Sequence, residues 1–209
     1  MNDQLIVQFS TTAWFLEPPH RWVPPSGLLK LLRMRWENKF SWVIRKACHS
    51  PFSHMDFVLP GTEGYLLGSS NMGAGSPHVT GNPCGVAVRP SNYQPWGARR
   101  RMIIRTDKAD AILTAAMTQL GKPFDNSALY QFIGKWPTRD WRDHGQWFCA
   151  ELCLWATETG NYWNRKLIWP KNRGSPTDYL LLFLFDDNFV NWETFWEPVP
   201  GLQLDPGER

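Results

Sequence analysis

Gly145-Gln146-Trp147-Phe148-Cys149-Ala150-Glu151-Leu152-Cys153-Leu154-Trp155 carries more information than any other stretch of the 209-residue sequence. It follows a polar run, Arg142-Asp143-His144. Phe148, Leu152, Trp155 and Ala156 then recur at helical spacing, which predicts a buried helix beginning near Trp147. Cys149 falls in its first turn, where unpaired backbone amides and the positive end of the helix dipole favour a thiolate over a thiol. A cysteine so placed is a candidate nucleophile near neutral pH. Free cysteines are also among the most buried residues, so taken alone Cys149 and Cys153 on an apolar helix read as small core residues until a partner is found.

The partner is sought in Cys48-His49-Ser50-Pro51-Phe52-Ser53-His54-Met55-Asp56-Phe57-Val58-Leu59-Pro60-Gly61. A Ser-Pro turn leads into a strand from His54 to Leu59 that Pro-Gly closes. On a strand His54, Asp56 and Val58 share one face, and Met55, Phe57 and Leu59 the other. The second face is apolar throughout and belongs against a core. The first presents an imidazole and a carboxylate together, the usual equipment for the base that serves a catalytic cysteine. The alternative is a strand-edge histidine satisfied by backbone.

Outward from these landmarks, Leu5 to Ser10 reads as a first strand and Trp14 to Pro25 as a Pro- and aromatic-rich excursion. Helical pieces are expected from Gly27 toward Trp36 and over Phe40 to Ala47. Tyr65 to Ser69 pairs with the preceding strand as a hairpin. The Gly-, Ser- and Asn-rich stretch that follows, with His78 in it, predicts a long loop. Gly85 to Arg89 and Arg101 to Arg105 are further strands. A helix capped at Thr106 or Asp107 should bury Ala109, Ile112, Leu113, Ala116 and Leu120 before Gly121 ends it. Another is expected from Asn126 to about Lys135. Ser175-Pro176-Thr177-Asp178 opens a helical or extended run through Phe185, and 186–209 is a Trp- and Pro-containing tail without clear periodicity.

The formal charge of +3 is mild, and the one tight basic cluster, Arg99-Arg100-Arg101, reads as a solvated surface, which argues against nucleic-acid binding. Thirteen tryptophans suggest aromatic platforms for a glycan or a partner besides core. Met1-Asn2-Asp3-Gln4 begins no visible secretory signal, and the longest apolar run, Tyr179 to Phe185, is too short to span a bilayer. Cysteines at 48, 84, 149 and 153 make no CxxC pair or zinc-finger spacing and read as reduced thiols. No cofactor and no metal site are expected.

The order of these parts resembles the circularly permuted branch of the papain-like NlpC-type cysteine hydrolases, the group that includes YiiX-like proteins. An initial strand precedes Trp42-Val43-Ile44-Arg45, Ser50-Pro51-Phe52-Ser53-His54 and a strand ending in Pro-Gly. Gly85-Val86, a helix, Gly121-Lys122-Pro123-Phe124-Asp125 and Trp147-Phe148-Cys149-Ala150-Glu151-Leu152 follow. The resemblance implies an α+β fold, a small antiparallel sheet packed against helices. It covers roughly Leu5 to Leu182 of a single domain over 1–185, with an insertion at about 13–39 and an enlarged loop at 70–84. By this match Cys149 is the nucleophile and His54 the base, in the order the permuted branch requires. Asp56 or, alternatively, Ser69 is the ring-orienting third residue. Glu151 is structural, while Ala150 departs from the small hydroxyl residue usual there. Backbone amides at the helix start would hold the oxyanion, with Gln146 and Tyr130 as candidate side-chain donors.

The activity implied is that of a cysteine amidase or endopeptidase acting on peptidoglycan peptides. The motif style is similar to bacteriophage copies, which implies a tail or virion component contacting phage structural proteins through its Trp-rich surfaces. Two other readings stay open: a lipid-directed thioesterase or acyltransferase, and a structural or assembly protein that keeps the scaffold with little turnover. A metal module on Cys149 and Cys153 is the remotest.

Overall fold

The computed structural model describes residues 3–12, 41, 44–45, 50, 52–62, 64–71, 80–81, 83–93, 96–127, 145–163, 174–184, 186 and 189–195. Among these the chain is α+β. Seven strands, β1 (Gln4–Thr12), β2 (His54–Val58), β3 (Tyr65–Ser69), β4 (Thr80–Gly81), β5 (Val86–Pro90), β6 (Trp96–Arg105) and β7 (Phe189–Phe195), form one sheet in the order β4-β5-β3-β2-β1-β6-β7. All the pairings are antiparallel. Three helices accompany it: α1 (Ala109–Met117), α2 (Cys149–Thr159) and α3 (Pro176–Leu184). None is long and apolar enough to cross a membrane.

Alternation along the strands builds the core. Leu5, Val7 and Phe9 of β1 are buried with Met55 and Phe57 of β2 and Met102 and Ile104 of β6, and α1, α2 and α3 contribute Ile112, Leu152 and Phe183. The opposite face is polar at its centre. Registers Gln8↔Asp56 and Ser10↔His54 put these four residues side by side, and Gln8↔Arg101 and Ser10↔Arg99 extend the rows to β6. Arg101 Nε donates to Gln8 Oε1 at 3.3 Å, which fixes the row between the strands.

Local chemistry explains the helices. Thr106 Oγ1 accepts from Lys108 N at 3.1 Å, ordering the turn before α1, and the stripe Ala109, Ile112, Leu113, Ala116 is buried as the 3.6-residue period requires. At the α1–α2 crossing Gly160 lies so close that a Cβ there would sit 2.5 Å from Ile112 Cγ1. Ser175 and Asp178 cap α3 reciprocally, Asp178 N donating to Ser175 Oγ at 3.1 Å and Ser175 N to Asp178 Oδ2 at 2.8 Å. With Pro176 as its first residue, the run that reads as helical or extended is therefore a helix.

Several expectations need correction. The tail is not without structure: residues 189–195 form edge strand β7 against β6, so the sheet continues past the boundary drawn at 185. Phe-Val-Asn-Trp-Glu-Thr-Phe shows no strict alternation, and what aligns it is backbone pairing with a ten-residue partner strand. The 70–84 loop is interrupted by β4, which pairs with Val88 and Ala87. The arginine cluster is not a solvated surface, because Arg99 and Arg101 are buried and only Arg100 is exposed. The insertion at 13–39, most of the Phe40–Ala47 and Asn126–Lys135 helices, Cys48, His78 and Tyr130 lie outside the described residues.

Candidate active site

His54 opens β2. Phe52 N donates to Ser50 Oγ at 3.0 Å in the turn before it, and Ser53 N to Ser10 O at 3.1 Å, so the strand enters with its register already set. Asp56 stands two residues on, on the same face. Its Oδ2 lies 2.9 Å from His54 Nε2, and both side chains are buried. The pairing Phe57↔Leu67 brings Gly68 of β3 opposite Asp56. A Cβ at Gly68 would lie 1.9 Å from Asp56 Oδ1, so the carboxylate occupies the space that only glycine leaves.

Cys149 comes from the other side of the sequence and is held as firmly. Phe148, the N-cap, is extended, and the peptide before it is pinned on several sides. Trp147 N donates to Pro123 O at 3.1 Å, Asp125 N to Trp147 O at 3.0 Å, and Ser69 Oγ to the same carbonyl. The indole Nε1 of Trp147 donates to Gln119 Oε1 at 3.1 Å. Cys149 is thus the first residue of α2, with its backbone amide at the helix N-terminus.

These two elements meet: Cys149 stands near enough to the His54 imidazole to act on its charge. The Nε2 edge of the ring faces Asp56. Burial by itself pushes the His54 pKa down. The electrostatic influence of Asp56, then that of Cys149, and hydrogen bonding outweigh it and raise the pKa to about 10. His54 is therefore an imidazolium at neutral pH. One turn along α2, burial pushes the Cys153 thiol well above its ordinary range, which leaves a neutral group beneath the site.

Of the sequence-predicted residues, Cys149, His54 and Asp56 come together. Ser69 does not orient the ring; its hydroxyl holds the Trp147 carbonyl, two residues before Cys149. Glu151 is buried in the first turn of α2. Among the described residues no group of three His, Cys, Asp or Glu side chains could hold a metal ion.

Sequence reasoning missed Tyr93, Arg89 and Gly68. Tyr93, in the turn after β5, places its hydroxyl 2.9 Å from His54 Nε2 and 3.4 Å from Asp56 Oδ2. Arg89, almost completely buried, stacks its guanidinium 5.3 Å from the Tyr93 ring centroid. Neither stands in a motif, and only a strand register that brings β5 beside β3 could have pointed to them. No protein-family model matches the sequence and no curated protein is similar to it, so the site rests on its own geometry.

Proposed function

We propose that the chain is a cysteine hydrolase of permuted papain-like fold, an amidase or endopeptidase acting on bacterial cell-wall peptides. One observation carries the reading: Cys149, at the start of α2, stands beside a histidine whose Nε2 is held 2.9 Å from a buried carboxylate, which leaves Nδ1 to serve the sulfur. Structural histidines and cysteines do not need this arrangement. Acyl transfer does.

In the reaction the Cys149 thiolate attacks the amide carbonyl, and backbone amides at the start of α2 receive the oxyanion. The C–N bond breaks as His54, already protonated, gives its Nδ1 proton to the departing amine. The imidazole, now neutral, takes a proton from water. The hydroxide equivalent adds to the thioester, the C–S bond breaks, and the free acid and thiolate are restored with His54 charged again. Asp56 keeps Nε2 protonated throughout and so holds Nδ1 toward the sulfur. The substrate class and a place in a phage tail follow from the likeness of the motifs to phage copies of the family.

A second reading, an assembly protein with little turnover, is favoured by the burial of the pair itself, Cys149 being only 5% and His54 9% exposed. Digestion of purified peptidoglycan, followed by mass spectrometry of released fragments, decides between them. The hydrolase reading predicts new peptide termini that vanish in Cys149→Ala, by at least about 10³-fold as for loss of a catalytic nucleophile. Identical fragment patterns for both proteins would leave the assembly reading standing.

A further inference from the structure

We propose that Tyr93, clamped by Arg89, is a positioning residue for the His54 imidazole, fixing which ring nitrogen carries the permanent proton. The inference rests on the reading of His54 as the partner of Cys149 and adds a member that the motifs did not contain.

The geometry is a triangle. His54 Nε2 lies 2.9 Å from Asp56 Oδ2 and 2.9 Å from the Tyr93 hydroxyl, and that hydroxyl lies 3.4 Å from the same Asp56 oxygen. One assignment of protons satisfies all three edges. The ring Nε2–H donates to the carboxylate, the phenol O–H also donates to the carboxylate, and a phenol lone pair faces the ring N–H. If Nε2 lost its proton, the ring and the carboxylate would face each other as two acceptors. Asp56 thus rejects the tautomer that would turn a proton toward Cys149 and leave no base there, and Tyr93 joins it by committing its O–H to the carboxylate, so that only its lone pair faces the ring.

Arg89 explains why the phenol stays put. Its Nη1 donates to Gly68 O at 2.9 Å, and its Nη2 to Pro83 O at 3.2 Å and to Gly85 O. These bonds tie the guanidinium to the backbone beside Asp56 and to the end of the 70–84 loop, while its face lies over the Tyr93 ring. Tyr93 also hydrogen-bonds Ser70, whose amide donates to Gly85 O at 3.0 Å, so both ends of that loop converge on this residue. Burial, then the Asp56 charge, push the Tyr93 phenol well above its ordinary range, so it remains a neutral hydroxyl wherever the site works.

The test is Tyr93→Phe, which keeps the ring and removes the hydroxyl. Two readouts are taken: the iodoacetamide alkylation rate of Cys149 at neutral pH, and the His54 titration followed by NMR. Loss of an acceptor for the imidazolium N–H should lower the His54 midpoint from about 10 by about one pH unit and slow alkylation by up to about tenfold, the most that one unit can shift the balance toward thiol and neutral imidazole. Should the variant not fold, 3-fluorotyrosine at 93, a weaker acceptor of the same shape, must move the midpoint in the same direction. A folded Tyr93→Phe with both readouts unchanged overturns the inference. An inert Cys149 in the unaltered protein overturns the hydrolase reading instead, and the His54 midpoint then decides the role of Tyr93 on its own.

Discussion

Strand β2 turns two unlike faces to the molecule. Met55 and Phe57 enter an apolar cluster with Phe9, Phe52 and Tyr179, where contacts are many and each is weak. His54 and Asp56, on the other face, depend on a few polar contacts at hydrogen-bond distance. The first face belongs to the packed core, and the second carries the polar side chains of the candidate site. Side chains alternating along five residues separate the two jobs, so substitutions should separate them as well.

Truncation on the apolar face tests one half of that division. Phe57→Ala removes a fully buried ring and should cost about 3–5 kcal/mol in urea unfolding. Whatever fraction stays folded should keep its Cys149 reactivity. On the polar face, Gly68→Ala adds a single methyl where Asp56 Oδ1 already lies 1.9 Å away. The carboxylate must leave its place, and alkylation of Cys149 should slow by about 10²-fold, the scale on which ångström misplacement acts at a catalytic group. A Gly68→Ala protein that reacts normally would show that Asp56 does not orient the ring.

The pH dependence bears on the same face. His54 is raised from an unfolded value near 6.5 to about 10 in the folded chain. Its contribution to stability is therefore fully present below the lower value and is lost as pH rises through the upper one. Melting temperatures of the unaltered protein and His54→Gln should converge between pH 7 and 10, whereas a constant gap would exclude the ion pair. The smallest effect is expected for Ser69→Ala, which leaves the Trp147 carbonyl with the Asp125 amide as its donor and costs about 1 kcal/mol of stability, with alkylation of Cys149 slowed less than in Gly68→Ala.

Much of this was legible in the chain. Period 2 over His54-Met-Asp-Phe-Val separates the faces, and helical spacing after Phe148 places Cys149 in the first turn. Both signals are local, and the hairpin of β2 and β3 follows from them with the strand at Tyr65–Ser69. What stayed hidden is long-range. Strand β7 is aligned by β6 rather than by its own pattern, and the buried Arg99 and Arg101 read as surface because a charged triplet does not reveal that its outer members share one strand face. Ser69 stood as the alternative to Asp56 as a partner for His54. Register separates them, since Gly68 and not Ser69 lies on the Asp56 face of β3. Tyr93 and Arg89 reach the site only through the pairing of β5 with β3.

The central claim is that Cys149 owes its chemistry to His54, and alkylation rates of the described cysteines on folded protein test it most directly. Exposure alone ranks Cys84 first, since Cys84 is exposed while Cys149 and Cys153 are buried. The account predicts the reverse for Cys149: a small alkylating reagent should modify it faster than Cys84 at neutral pH, leave Cys153 untouched, and lose that preference in His54→Ala. A Cys149 that reacts no faster than Cys84, or whose rate is indifferent to His54, would contradict it.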